Sequence, residues 1–370
     1  MWYVEWKTWM MLAIPIAGVA LALATWGSTQ SVLLAVVLAV FHMVLVLVSV
    51  GHAEAIAHRI GEPLGTLILA LSVTVIEVSL VVTMMITEGD KAATLARDTV
   101  FAAIMIVCNG VVGLSILVRA QQAKVVQFSE QGANALLGTV LTIATLSLVL
   151  PNFTSSSEGA TFTGSQFAFS AVSAFIVYAI FIVVQTRSHR WMFLSPEALS
   201  DEIDDKHSDA SEHHEIVGKN DSIVWRTVML VLGLAGVVGL AKTLSPQIES
   251  AVEWFGAPQA FVGVVIALMI LLPETIAALR AAKRSEMQTS LNLSLGSALA
   301  SIGLTIPAIA IASIWLDGPI VLGLGPKEIV LLALTAVVSG LTFGSGQATL
   351  LQGVQHLAIF AAFIFLTLVP

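Results

Sequence analysis

Stretches of about twenty apolar residues follow one another along nearly the whole chain, and that is the length a helix needs to cross a hydrocarbon core about 30 Å thick. Hydrophobic residues fill 57% of the 370 positions and charged residues only 11%, far below the roughly 25% charge of a soluble domain. The chain therefore belongs in a bilayer and has no room for a large soluble domain. The expected spans are 9 to 26, 32 to 50, 64 to 86, 99 to 118, 134 to 150, 166 to 186, 224 to 243, 260 to 279, 290 to 314, 328 to 345 and 353 to 369. Trp2 to Trp26 has the outline of a signal peptide but no small-residue cleavage site, and more apolar sequence follows almost at once. It reads as the first membrane helix, with Trp2, Tyr3, Trp6 and Trp9 near an interface.

The charges set the expected topology. With the N-terminus cytoplasmic, twelve Lys and Arg residues fall on inner loops, and Lys91, Arg97, Lys242 and Lys327 are left outside. That bias is the positive-inside pattern, and the odd helix count then puts the C-terminus outside. The net charge of −8 comes largely from one place, since nine of the 24 acidic residues lie between Glu197 and Asp221. This segment, with Asp201, Glu202, Asp204 and Asp205, reads as a solvated linker or as a weak cytoplasmic cation sensor. The single Cys108 excludes an internal disulfide.

The same polar segment divides the helices. The predicted fold class is an all-α polytopic membrane protein with an extra N-terminal helix in 1–30, a five-helix repeat in 31–194, an acidic cytoplasmic loop in 195–222 and a second five-helix repeat in 223–370. Repeats with an odd number of spans insert in opposite orientations, the inverted plan of many secondary transporters. An internal echo accompanies it: Gly61, Pro63 and Glu77 in the third span, against Gly256, Pro258 and Glu274 in the eighth.

Glu77 and Glu274 each sit near the middle of a span. A charge there costs roughly 2.5 to 3.5 kcal/mol even on the lenient insertion scale, so an intramembrane carboxylate is a functional candidate by default. A protonated Glu bonding two helices is the plainer reading. Thr66, Ala70, Thr74 and Glu77 follow helical spacing, so a hydroxyl and a carboxylate share a face. Pro273 has no amide hydrogen, which leaves the Met269 carbonyl without its usual donor; the result is either a hard oxygen ligand or a simple kink. Ser290, Ser294, Ser297, Ser301 and Thr305 form one stripe on the ninth span, suited to ligation or to close packing. Asn109 is a cation ligand or an interhelical bond. His52, Glu54 and His58 lack the four-residue spacing of a helical zinc site and read as an interfacial polar turn.

The segments GEPLGTLILALSVTVIEVSL, IMIVCNGVVG, LLPETIAALRAA and LNLSLGSALASIGLTIP resemble the cation/proton exchanger branch of the calcium/cation antiporter superfamily, and the likeness covers essentially the chain. The resemblance implies that Glu77 and Glu274 are the transport-site carboxylates, binding both metal ion and proton, and that Asn109 and the Ser297 region complete the site. Many members carry Asn three residues before each Glu, where this chain has Thr74 and Leu271. Those departures remove carboxamide ligands and leave sodium or potassium open beside calcium.

The expected function is antiport of calcium, sodium or potassium against protons. A carboxylate holding a proton cannot ligate a cation equally well, so the two fluxes compete for the same oxygens. A channel would use the carboxylates as a selectivity ring but lacks a repeated pore loop here, and no HExxH or nucleophile elbow supports an intramembrane enzyme. No cofactor and no nucleic-acid partner are expected. Membrane lipid and inorganic cations are the expected partners, with homo-oligomerisation left open.

Overall fold

In the computed structural model the described residues are 2–27, 31–60, 64–88, 93–194, 222–254, 256–315 and 320–370. Among them eleven helical spans run in chain order: α1 Trp2–Ala24, α2 Val32–Ile60, α3 Leu64–Glu88, α4 Leu95–Ala120, α5 Glu130–Phe153, α6 Gly164–Ser188, α7 Ile223–Trp254, α8 Ala260–Lys283, α9 Met287–Ala312, α10 Pro326–Phe343 and α11 Leu350–Leu368. Each expected span falls on one of them. The acidic segment with Asp201, Glu202, Asp204 and Asp205 lies outside the described residues, as do Gly61 and Pro63 and the side chains of Trp2, Tyr3, Trp6, Trp9, His58, Thr66 and Ala70.

Two helices exceed their expected spans by about ten residues. α2 has 29 residues and α7 has 32. At 1.5 Å per residue they reach about 43 and 48 Å, beyond the hydrocarbon core. The GHAEAIAHR segment is therefore the polar end of a continuous helix and not a turn. His52 there uses Nε2 to meet the Met11 carbonyl of α1 at 2.9 Å. Small residues bring α1 and α7 close together: a Cβ on Gly236 would stand 3.0 Å from the Gly18 backbone, and one on Gly239 would stand 2.6 Å from Ala22 Cβ.

The remaining ten helices show the inverted relation in their contacts. If α2 to α6 correspond to α7 to α11, the packing of α3 on α9 has its counterpart in α4 on α8, and both are present. Gly303 of α9 faces Tyr178 of α6, and Gly110 of α4 faces Phe360 of α11. α6 and α11 both begin with a Thr-x-x-Gln capping box, at Thr163 with Gln166 and at Thr349 with Gln352, in which side chain and backbone satisfy each other's amides. The loops repeat the relation at opposite faces. β1 (Val126–Gln127), between α4 and α5, pairs antiparallel with β2 (Gln347–Ala348), between α10 and α11. At the other end Thr161, between α5 and α6, bridges Val321, between α9 and α10. Swapping the halves maps one clasp onto the other.

Candidate cation site

Four helices, α3, α6, α8 and α9, enclose a cavity of about 420 Å³. α9 supplies one long wall, with Thr289, Asn292, Gly296, Ser297 and Ser301 reaching inward from its first turn. Exposure falls along this wall, from the exposed Thr289 to the buried Ser301. The exposed Arg190 stands at the open end, so the cavity has a mouth there and a floor near Ser301, Thr74 and Glu274.

Behind the floor lies Glu77, which is 2% exposed. The Ser301 hydroxyl is 2.8 Å from both of its carboxylate oxygens, so a single donor is shared between them. Thr305, one helical turn further along α9 and fully buried, stands near the same carboxylate. A hydrogen bond from a hydroxyl to a charged oxygen contributes about 1.5 to 3 kcal/mol, which is how a carboxylate can be tolerated at this depth.

Glu274 is placed differently. It lines the cavity directly, and its Oε2 oxygen is buried without a hydrogen-bond partner among the described residues. It lies within electrostatic range of Glu77 and Glu54. α8 runs unbroken through Pro273, and the Thr275 hydroxyl donates to the Leu271 carbonyl at 2.7 Å. Met269 is not among the lining residues, so the carbonyl freed by the proline is not part of this wall.

The structure therefore brings Thr74, Glu274, Ser297 and Ser301 to one cavity with Glu77 immediately behind it. Asn109 is elsewhere. It sits on a π turn, Ile106–Val111, inside α4, a wide turn that re-aims side chains. Its Nδ2 donates to Thr335 Oγ1 at 2.9 Å, and its Oδ1 meets His356 Nδ1 at 3.3 Å. His356 Nε2 in turn meets Thr342 Oγ1 at 3.2 Å. Because Asn109 Oδ1 only accepts, Nδ1 carries the ring proton and Thr342 donates to Nε2. The amide is thus committed to α10 and α11, and the expectation that it ligates the cation gives way to interhelical bonding.

The serine stripe of α9 divides between two tasks. Near the helix start Ser290 donates to Ser115 of α4 at 2.9 Å, which joins the two helices, and Ser294 bonds back to the Ser290 carbonyl of its own helix at 2.8 Å. Ser297 and Ser301 face the cavity. Sequence reasoning missed Tyr178, Asn292 and Arg190 in the wall, because an aromatic, an amide and a loop arginine each fit packing or topology when read alone.

One carboxylate and several hydroxyls on the cavity wall, with a second carboxylate behind its floor, form an all-oxygen set. Such a set suits hard cations, and a proton taken by either carboxylate removes a ligand.

Residues 30–187 and 225–369 match the family described as sodium/calcium exchanger protein. The chain is 40% identical over 360 residues to a Sinorhizobium fredii protein carrying the name ionic transporter, covering 96% of this chain and 95% of that one. It is 33% identical over 344 residues to the sodium-potassium/proton antiporter ChaA of Escherichia coli, covering 92% and 91% of the two chains. Among solved structures, an H+/Ca2+ exchanger, CAX, shares the fold with a TM-score of 0.69 at 15% identity, over 98% of this chain and 89% of that one.

Proposed function

The chain belongs to the sodium/calcium exchanger protein family, and from that premise we propose that it exchanges calcium, sodium or potassium for protons by alternating access, with Glu77 and Glu274 as the shared carboxylates. It is an antiporter, not an enzyme or a channel. The observation that carries the site assignment is the joining of the two halves at one place: Ser301 of α9 holds both oxygens of Glu77 on α3, and Glu274 of α8 opens onto the same cavity. Thr74, Ser297 and Ser301 supply further oxygens. Asn109 and Met269 are left out of the proposed ligand set for the reasons of placement above.

Exchange follows from competition. A loaded site, holding one divalent cation, a monovalent cation together with a proton, or two protons, is close to neutral and can be presented to the opposite face. An empty site carries two uncompensated carboxylates in a low-dielectric setting, where unpaired charge costs several kcal/mol, so it does not cross. The test is proton flux in everted membrane vesicles with calcium, sodium and potassium added separately. Each transported cation should collapse a respiration-driven pH gradient in a saturable way. A gradient indifferent to all three ions would overturn the proposal.

The proposed location is the bacterial inner membrane with the N-terminus inside, which places the cavity mouth at Arg190 and the acidic loop on the cytoplasmic side. We propose that the loop tunes activity and does not itself carry ions. A C-terminal reporter active only in the cytoplasm should stay silent, and a bright signal would reverse the assignment.

A further inference from the structure

We propose that the protein binds lipophilic ammonium ions, with the apolar tail in a crevice between α3, α6 and α9 and the cationic head in the cation cavity, where it competes with the transported ion. The competition rests on the exchange reading above. The crevice encloses about 840 Å³, within the range of about 300 to 1,000 Å³ for small-molecule sites. Leu71, Val75 and Val78 of α3, Ala168 and Val172 of α6 and Leu304 of α9 stand on its wall. Two serines on the wall, Ser79 and Ser313, donate their hydroxyls to carbonyls of their own helices, those of Val75 and Ala310. What they leave for a ligand is largely hydrocarbon.

Crevice and cavity lie end to end along the same helices. α9 lines the cavity from Thr289 to Ser301 and the crevice from Leu304 to Ile314, while α6 lines the crevice from Gly164 to Phe175 and the cavity from Tyr178 to Thr186. Thr74 of α3 borders both spaces. From Gly164 to Phe175 is eleven residue steps, or about 16 Å at the helical rise. A zigzag alkyl chain advances by somewhat less than its C–C bond of about 1.5 Å, so about a dozen carbons match that length.

The cavity supplies what a cationic head needs. Glu274 lines it with an oxygen that is buried without a hydrogen-bond partner among the described residues, and the rings of Tyr178 and Phe181 stand on the same wall. A carboxylate attracts an organic ammonium by its charge, and an aromatic ring does so by its quadrupole. On the crevice wall Val172, Phe175, Ile311 and Ile314 are exposed. They lie on spanning helices, so the crevice opens to the bilayer and a tail entering it passes from hydrocarbon to hydrocarbon. A molecule with one chain and one positive head therefore matches both spaces. A neutral chain matches only the crevice, and a small ammonium ion matches only the cavity.

The experiment uses purified full-length protein in proteoliposomes with a dye-reported interior, and dodecyltrimethylammonium as the probe. Its charge is permanent, so it cannot dissipate a pH gradient as a weak base does. Dosed as a fixed fraction of the lipid, it should raise the half-saturating concentration of the transported cation and leave the maximal rate unchanged. Tetramethylammonium and an uncharged dodecyl glycol ether should each inhibit at least about tenfold more weakly. Ala168→Trp and Val172→Trp place an indole in the crevice at positions already exposed, and each should weaken inhibition about tenfold with exchange intact. Ile176→Trp, exposed on the same helix but off the crevice wall, should keep parental sensitivity. Inhibition that only lowers the maximal rate, or that is equal in Ala168→Trp and Ile176→Trp, would overturn the site in favour of a bilayer effect. A diazirine-tailed analogue mapped by mass spectrometry reads binding without exchange: adducts should fall on 164–175 and 304–314 and disappear under excess probe. Adducts spread evenly over the lipid-facing helices would overturn the proposal. A parent that moves protons for no cation yet is labelled in the crevice would remove the exchange reading and leave the binding site standing.

Discussion

Glu77→Gln and Glu274→Gln should each abolish cation-dependent proton exchange while inserting and expressing like the parent. Removing one carboxylate leaves a bound cation short of one negative charge in a buried setting. Breaking a buried charge pair in this way costs about 3 to 5 kcal/mol, and with tenfold in affinity for each 1.4 kcal/mol the loss is at least a hundredfold. The structure makes glutamine a sharp control at position 77, because its carbonyl oxygen still accepts the Ser301 hydroxyl that now lies 2.8 Å from the carboxylate. A purely structural Glu77 would therefore tolerate the change. Glu→Asp should leave a weak remnant at either position, since the charge remains but retreats by one methylene. Near-parental exchange by either glutamine variant would remove that residue from the shared site.

Gly303→Val should produce the second-largest loss, and through packing. A Cβ at this position would stand 2.8 Å from Tyr178 Cβ and 2.9 Å from its Cγ, atoms near the backbone of α6 that cannot swing aside. Overpacking of this kind costs about 1 to 3 kcal/mol, and relief requires α6 and α9 to separate two residues from Ser301. The variant should melt earlier in detergent and exchange poorly, with Gly303→Ala intermediate. Gly138→Ala is the control, because nothing lies within 4 Å of a Cβ there. A Gly303→Val protein with parental stability and exchange would show that α6 and α9 need not pack as closely as they do here.

The spans and the two carboxylates were legible in the sequence because both signals are local. Apolar length marks a crossing, and a Glu in the middle of one stands out against its neighbours. The partners of Asn109 were not legible, since Thr335 lies 226 residues away and His356 lies 247 away. Only the assembled helices show which of its two readings holds. The division of the α9 stripe between packing and the cavity was hidden for the same reason. Ser290 and Ser301 share a helical face, but the helix crosses α4 near its start and α3 further on, and residue spacing carries no record of that crossing. The internal repeat was present in a stronger form than the Gly-Pro-Glu echo. SIG at 301–303 answers CNG at 108–110, and the two Thr-x-x-Gln boxes answer each other. These matches gain meaning once the glycines are seen facing aromatic rings.

The correspondence of halves also says where the protein must come apart to face the other way. The present cavity lies between the first half of α9 and the second half of α6. Exchanging the halves turns those segments into the first half of α4 and the second half of α11, at the opposite membrane face. That seam is now shut by Phe101 of α4, packed edge-on against Phe363 of α11 with centroids 5.6 Å apart and Phe360 alongside. Prising the seam open forfeits this aromatic contact, about 0.5 to 1.5 kcal/mol in addition to the cost of exposing the buried rings. In the alternating-access cycle proposed above, the rings are the latch that must open at this face, while the Asn109 and His356 bond nearer the other end of the same two helices keeps them hinged.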